Sequence, residues 1–410
     1  MLQTVIPANG SMTTPVWRMA LSGLCASLVG IGLSRFAYTP LLPQLIAAHW
    51  FAPAQAAYIG AANLAGYLAG ALLAQPLMER LRAATLLRVM MIIVSVSFFA
   101  CGFQSPVAWF FLWRFAAGFA GGIIMVAAAP TILPHVTPTR RGLTSGAIFV
   151  GIGCGVVISA TVVPMLLRWG VSQAWMGLGL VAFLLSLVAW AGWPHANQTA
   201  PAPPGTRALF HAAMSGSSTL RALYFEYALN AVGLVPHMVF LVDFVERGLG
   251  QGLSMGSRDW LLFGLGAMVG PVISGAIADR IGFRRALRAG FLLQAAAVGV
   301  LTIDADAISL MVSSFVIGAF VPGIVPLVLG RVHELAAQDS ALQKTAWSLC
   351  TTAFALGQAV GAYGFSYVFA HTTNAYGLIF MLGGGALIVA ASIDVLAARH
   401  REPTVLLSLD

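Results

Sequence analysis

Two arginines, Arg35 and Arg114, stand inside apolar stretches of the chain, where a cation has no water to solvate it. An arginine at mid-membrane depth costs about 2.5–3.5 kcal/mol on insertion scales, so each is expected to face a cavity or a partner rather than lipid. Counting ~1.5 Å per residue from the ends of their stretches places both in the outer half of the hydrocarbon, at similar depth. A guanidinium offers its N–H groups as a planar fork that fits a carboxylate or a phosphate, a geometry lysine does not reproduce. The one acid placed clearly inside an apolar stretch is Glu226. The interior therefore carries surplus positive charge that a small anionic solute could neutralise. Tyr38 lies one turn from Arg35 on the same helical face and could share that contact. The competing reading of Arg114 is structural, an arginine that organises the helices around it.

Further polar residues sit deep in other stretches: Asn63, Tyr67, Asn230, Gln294 and Gln358, with His237 just after Pro236 at nearly the depth of Arg35. A membrane-buried amide more often joins two helices than binds a ligand. The expected substrate-binding set is Arg35, Tyr38 and Arg114, with Asn63, Tyr67, His237, Asn230 and Gln358 as weaker members. Glu226 is the candidate for proton coupling, against the plainer alternative of a fixed ion pair near the membrane interface.

The elements that must position these residues follow from composition. Apolar residues make up 59% of the 410 and charged residues 8%, against about a quarter charged in soluble domains. Twelve apolar stretches approach the ~20 residues that cross a bilayer: 17–41, 54–78, 84–104, 107–132, 142–168, 173–193, 220–245, 258–278, 286–304, 306–330, 344–369 and 374–397. The first fifteen residues carry no basic side chain, so the first stretch is expected to be a permanent helix rather than a cleaved leader. Of the 21 basic residues, Arg35 and Arg114 are inside stretches, Arg168, Arg247 and Arg258 fall on one side, and the remaining 16 fall on the other. That asymmetry predicts a multi-pass protein of a bacterial inner membrane with both termini cytoplasmic. It also accounts for the net charge of +8 without a nucleic-acid partner. Residues 194–219, rich in proline, read as a cytoplasmic linker between bundles at 1–193 and 220–410. Cys25, Cys101, Cys154 and Cys350 form no C-x-x-C pair, so neither a disulfide framework, a metal nor another cofactor is expected.

Two motifs stand 200 residues apart. Gly275-x-x-x-Asp279-Arg280-x-Gly282-x-Arg284-Arg285 follows the eighth stretch, and Glu79-Arg80-x-Arg82 follows the second. The longer string resembles the loop signature of the major facilitator superfamily. Gly30-Ile31-Gly32-Leu33-Ser34-Arg35-Phe36-Ala37-Tyr38-Thr39-Pro40 resembles the first helix of its YbfB/YjiJ-like branch, and Arg114-Phe115-Ala116-Ala117-Gly118-x-x-x-Gly122 is similar to its helix-4 motif. The resemblance implies an all-α integral membrane protein with twelve transmembrane helices in two six-helix bundles, moving a small solute by alternating access. It also implies that Gly275, Asp279, Arg280, Gly282, Arg284 and Arg285, with Glu79 and Arg80, gate the cytoplasmic side. In physical terms Gly275 would allow close helix approach, while Asp279 would accept hydrogen bonds from arginines or a helix N-terminus. The first-half motif departs from the pattern, with Gln75 and Arg82 in place of glycines, and the fifth helix lacks the Gly-Pro-x-x-Gly-Gly string of antiporters.

Enzyme readings fail on spacing. The only lysine, Lys344, follows Gln343 rather than a P-loop glycine. His333-Glu334-x-x-Ala337 lacks the second zinc histidine, and Gly252-x-Ser254-x-Gly256 lies in a short loop rather than a strand-turn-helix. The expected function is secondary transport of a small organic anion such as a carboxylate, with proton coupling, by a monomer whose other partner is membrane lipid. The alternative is proton-coupled export of drugs or other amphipathic compounds.

Overall fold

The computed structural model describes residues 15–137, 140–194, 218–336 and 339–399, and the proposed linker at 194–219 falls almost wholly outside them. Among the described residues every regular element is helical. Hydrocarbon imposes this, because each backbone N–H and C=O must find its partner within the segment. The described residues form twelve long helices in order: α1 Val16–Ala47, α2 Pro53–Arg80, α3 Ala83–Ala100, α4 Val107–Ile132, α5 Arg141–Leu167, α6 Val171–Ala189, α7 Ser218–Gly248, α8 Gly252–Ile281, α9 Phe283–Gly299, α10 Ala307–Leu335, α11 Ser340–His371 and α12 Ala375–Arg399. Ten are long and apolar enough to cross a membrane on those grounds alone. The other two differ for local reasons. α9 has 17 residues and opens on Arg284, Arg285 and Arg288, while α11 carries Gln343, Lys344, Thr351 and Gln358 along its length.

Helices α1 and α7 are not regular. α1 widens to π-helical turns at Leu28–Leu33, and α7 does so at Pro236–Phe240 and Phe244–Gly248. Proline supplies the cause at 236, since it has no N–H for the i−4 carbonyl. The second π segment carries α7 to Gly248, beyond the end at 245 expected from hydropathy. Between α8 and α9 the chain reverses through Gly282 at φ +84°, a left-handed conformation that glycine adopts without strain. Asp306 and Asp339 cap α10 and α11 by accepting backbone N–H groups.

Within each set of six, a pair of helices meets backbone to backbone. A Cβ placed on Gly66 or Gly70 of α2 would strike the Phe115 or Phe119 carbonyl of α4, and one on Gly118 would strike the Asn63 carbonyl. The same contacts recur 200 residues on, with Gly266 against Phe315, Gly270 against Ala319 and Gly318 against Phe263, joining α8 to α10. Small residues let membrane helices approach closely enough for dispersion to hold them.

The two sets meet extensively along α1–α7, α1–α8, α2–α11 and α5–α8. Near the face opposite the termini, Thr39 Oγ1 donates to the Met238 carbonyl at 2.6 Å, Gln44 Nε2 donates to Glu246 at 2.5 Å, and the rings of Tyr58 and Tyr363 lie 6.2 Å apart. Deeper in the interface, Trp260 Nε1 donates to Ser159 Oγ at 2.9 Å, and Phe36 of α1 packs on both Trp260 and Phe263 of α8. No extensive contact joins α4 or α10 to the opposite set among the described residues. The molecule is closed at the face opposite the termini.

Candidate functional site

At the centre of that closed end lies a cleft bounded by Arg35, Tyr38, Thr39, Asn63, Arg114 and Met238, with only about 10 Å³ of open space. That is roughly the room one water requires. Helix α1 supplies three of these residues just past its π segment, where the helix divides at Ala37.

Arg114 is held from several directions. Its Nη1 donates to the Ser34 carbonyl at 2.5 Å. Asn63 Nδ2 donates to the Arg114 carbonyl at 3.1 Å and reaches the Ser34 carbonyl at 3.4 Å. The guanidinium carbon stands 4.8 Å from the centre of the Tyr38 ring, within the range of a cation–π contact. Arg35 is less firmly held. Its Nη2 points at the Met238 sulfur at 3.8 Å, and its guanidinium lies 5.3 Å and 5.5 Å from the rings of Phe36 and Tyr67. A thioether is a weak acceptor. The Nε of both arginines is buried without a partner, and neither forms an ion pair among the described residues.

The interior holds more acid than the sequence reading allowed, since Asp243 and Asp259 are fully buried. Each is matched within its own helix. Arg247 donates to Asp243 at 3.0 Å, with Tyr376 donating to the same carboxylate at 2.6 Å, and Arg258 reaches Asp259 at 2.8 Å. These local pairs cancel, and Arg35 and Arg114 keep their uncompensated charge.

The other expected site residues divide. Asn63 and Tyr67 lie with the arginines, Asn63 as the amide that ties α2 to α1 and α4, Tyr67 as an aromatic face for Arg35. Tyr38 is in the cleft, but its hydroxyl already donates to the Ala56 carbonyl at 2.7 Å. It serves here as the ring beneath Arg114 rather than as a free donor. Gln358 of α11 approaches the same Met238 sulfur at 3.9 Å. His237 does not face the cleft. It bonds Ser313 of α10 at 2.7 Å and packs edge-on against Phe380 of α12. Asn230 donates to Gln294 of α9 at 2.7 Å, the helix-joining role usual for buried amides. Glu226 is buried among charges from Asp394, Arg331, Arg284 and Arg288. Twelve residues of α7 separate it from Met238, ~18 Å along the helix.

At the face of the termini, Arg284 and Arg288 both pair with Asp394 of α12, at 3.4 and 2.6 Å. The side chains of Asp279, Arg280 and Arg285 have no hydrogen bond or ion pair among the described residues. A Cβ on Gly275 would meet nothing within 4 Å, so the expected close approach is absent in this state. In the first half, Glu79 accepts from Gln75 at 3.3 Å and Arg80 is exposed. Sequence reasoning missed Thr39, Gln44, Met238 and Glu246. Methionine carries no chemical mark in an apolar run, and Glu246 lay beyond the expected end of its helix.

Comparison with known proteins accords with this architecture. Residues 27–395 match the family described as uncharacterised MFS-type transporter YbfB. The chain is similar to the uncharacterised MFS-type transporter YceJ of Bacillus subtilis, 24% identical over 333 residues, covering 81% of this chain and 84% of that one. Among solved structures it is similar to the D-xylose-proton symporter, with a TM-score of 0.73, 17% identity, and 92% and 97% of the two chains covered. It is also similar to the nucleoside transporter NupG, at 0.73 and 15%, covering 92% and 99%.

Proposed function

The chain belongs to the YbfB-type family of major facilitator transporters, and we propose that as a secondary transporter it carries a small organic anion, such as a carboxylate, through the cleft between Arg35 and Arg114. The observation that supports this is the pair of guanidinium groups, Arg114 buried and Arg35 half-buried, whose Nε atoms have no partner and which form no ion pair among the described residues. A buried charge left unpaired is costly, and the same low dielectric strengthens its bond to an arriving anion. Arg114, fixed by the Ser34 carbonyl, is the stationary member. Arg35, resting on a thioether, exchanges a poor acceptor for a carboxylate oxygen when substrate enters.

With the basic loops cytoplasmic, the face closed by Gln44–Glu246 and Thr39–Met238 is the external one. On this reading the state is closed to the outside, and the protein acts as a monomer in a bacterial inner membrane. Asp279 with its neighbouring arginines acts as the inner clasp, released in this state and engaged when the external face opens. Glu226 is the proposed proton site, remote from the cleft and linked to the clasp side by its charged neighbours.

Ligand-dependent stabilisation of the purified protein tests the substrate class, over a panel of carboxylates, neutral solutes and organic cations. Carboxylates are expected to raise the melting temperature of the wild type. Arg35→Lys keeps the charge but weakens the effect about tenfold or more in concentration, as loss of one strong hydrogen bond requires. Arg35→Ala abolishes it without unfolding. Stabilisation by cations alone, or a carboxylate effect untouched by Arg35→Ala, overturns the reading in favour of export of amphipathic compounds.

A further inference from the structure

The 200-residue repeat supplies an internal control for one feature outside the transport cleft. Between α8, α9 and α10, on the lipid-facing surface, an apolar groove of about 220 Å³ is lined by Ile273, Ile277, Ala286, Ala289, Gly290 and Leu293, among others. The positions 200 earlier in α3 are Leu86, Val89 and Met90 where α9 has Ala286, Ala289 and Gly290. In the first half these larger side chains occupy the corresponding place, Leu86 and Met90 being buried. At 290 the volume that Met90 occupies in the first half is taken by Phe320 of α10, which stands where the first half has Ala120, so the smaller side chains that leave room beside α9 are Ala286 and Ala289.

At the end of the groove toward the termini stand two arginines whose side chains have no partner among the described residues. Arg280 is three residues beyond Ile277 on α8, and Arg285 is four residues before Ala289 on α9, so each continues the groove-lining face of its helix. Both are exposed, and neither has an acidic partner among the described residues. Their neighbours Arg284 and Arg288 are turned instead to Asp394. Any bilayer chain can lie in an apolar groove. What selects one lipid is a headgroup that matches the charge at its mouth.

We propose that this groove is a binding site for an anionic phospholipid, whose acyl chain lies along α9 and whose phosphate is held by Arg280 and Arg285. The guanidinium forks suit a phosphate bidentately, and the small side chains of Ala286 and Ala289 leave room for the chain where the first half has Leu86 and Val89.

Phospholipid retention and melting temperature are measured on the purified full-length protein after addition of dioleoyl phosphatidylglycerol, dioleoyl phosphatidylcholine or glycerol phosphate. Phosphatidylglycerol is expected to be retained and to stabilise, and the other two are not. A basic residue near an anionic lipid surface contributes about a factor of five, so Arg280→Gln with Arg285→Gln should lower apparent affinity about 25-fold. Ala289→Leu, at an exposed position, should abolish retention while leaving both arginines in place. Removing equal charge elsewhere on the same face, with Arg18→Gln and Arg82→Gln, should change nothing. Equal retention of phosphatidylcholine, an equal effect of glycerol phosphate, or insensitivity to either groove variant overturns the proposal. A double variant that loses melting stability in phosphatidylcholine as well leaves Ala289→Leu as the deciding measurement.

Discussion

Deleting the side chain of Gln44 should open the face opposite the termini. Gln44 Nε2 donates to Glu246 Oε1 at 2.5 Å, and the second carboxylate oxygen of Glu246 is buried with no partner. Gln44→Ala therefore leaves the whole carboxylate without a hydrogen bond while that face is closed. When the face opens, water replaces the lost donor, so the cost falls on the closed state alone. A hydrogen bond to a charged group contributes about 1.5–3 kcal/mol, which moves the closed-to-open ratio about 10- to 150-fold. The Thr39–Met238 bond remains, so the gate is weakened rather than removed. The readout is the labelling rate of a cysteine placed at Val239, which bounds the cleft, by an impermeant maleimide added to intact cells. Cys25, Cys101, Cys154 and Cys350 are first replaced. Gln44→Ala should raise that rate by at least tenfold, while Gln44→Ala with Glu246→Ala should return toward the parent because no orphaned carboxylate is left. Equal rates in all three proteins would refute the assignment of this contact as a gate.

Gly118→Ala, whose new Cβ meets the Asn63 carbonyl, should destabilise by about 1–3 kcal/mol and lower the melting temperature, whereas Gly275→Ala, with nothing within 4 Å, should melt like the parent. Glu226→Gln should abolish the response of uptake to an imposed pH gradient while leaving solute exchange intact; unaltered pH-driven uptake removes Glu226 from coupling. Asp279→Asn should slow transport and raise labelling of cleft cysteines from the side of the termini, by destabilising the alternate state in which the clasp is made; full activity with unchanged labelling would reduce the motif to a loop that sets topology. A single cysteine placed within 194–219 should be protected from impermeant reagent in intact cells, and its labelling from outside would invert the proposed orientation.

The membrane-spanning architecture was legible in the sequence because hydropathy is a local property. Each apolar run must form a helix in lipid whatever its neighbours do. Glycines four residues apart at Gly66/Gly70 and Gly118/Gly122 are visible in the sequence, and each backbone lies against a neighbouring helix where only a missing Cβ permits it. Arg35 and Arg114 were identifiable because a cation in hydrocarbon must be explained, and both prove to line one cleft, Arg114 buried and Arg35 half-buried. What each helix turns toward its neighbours was not legible. Each residue rotates an α-helix by about 100°, so the π-helical turns after Pro236 alter the phase of every later side chain in α7. Met238 consequently meets Arg35, while His237, the residue with visible chemistry, turns to Ser313 inside its own bundle. The local pairing of Asp243 with Arg247, the bridge from Gln44 to Glu246 and the groove beside α9 depend in the same way on how the helices rotate and where they cross. Hydropathy sets what lies within the membrane; contacts between helices, made by residues as far apart in sequence as Tyr58 and Tyr363, set which side chains meet.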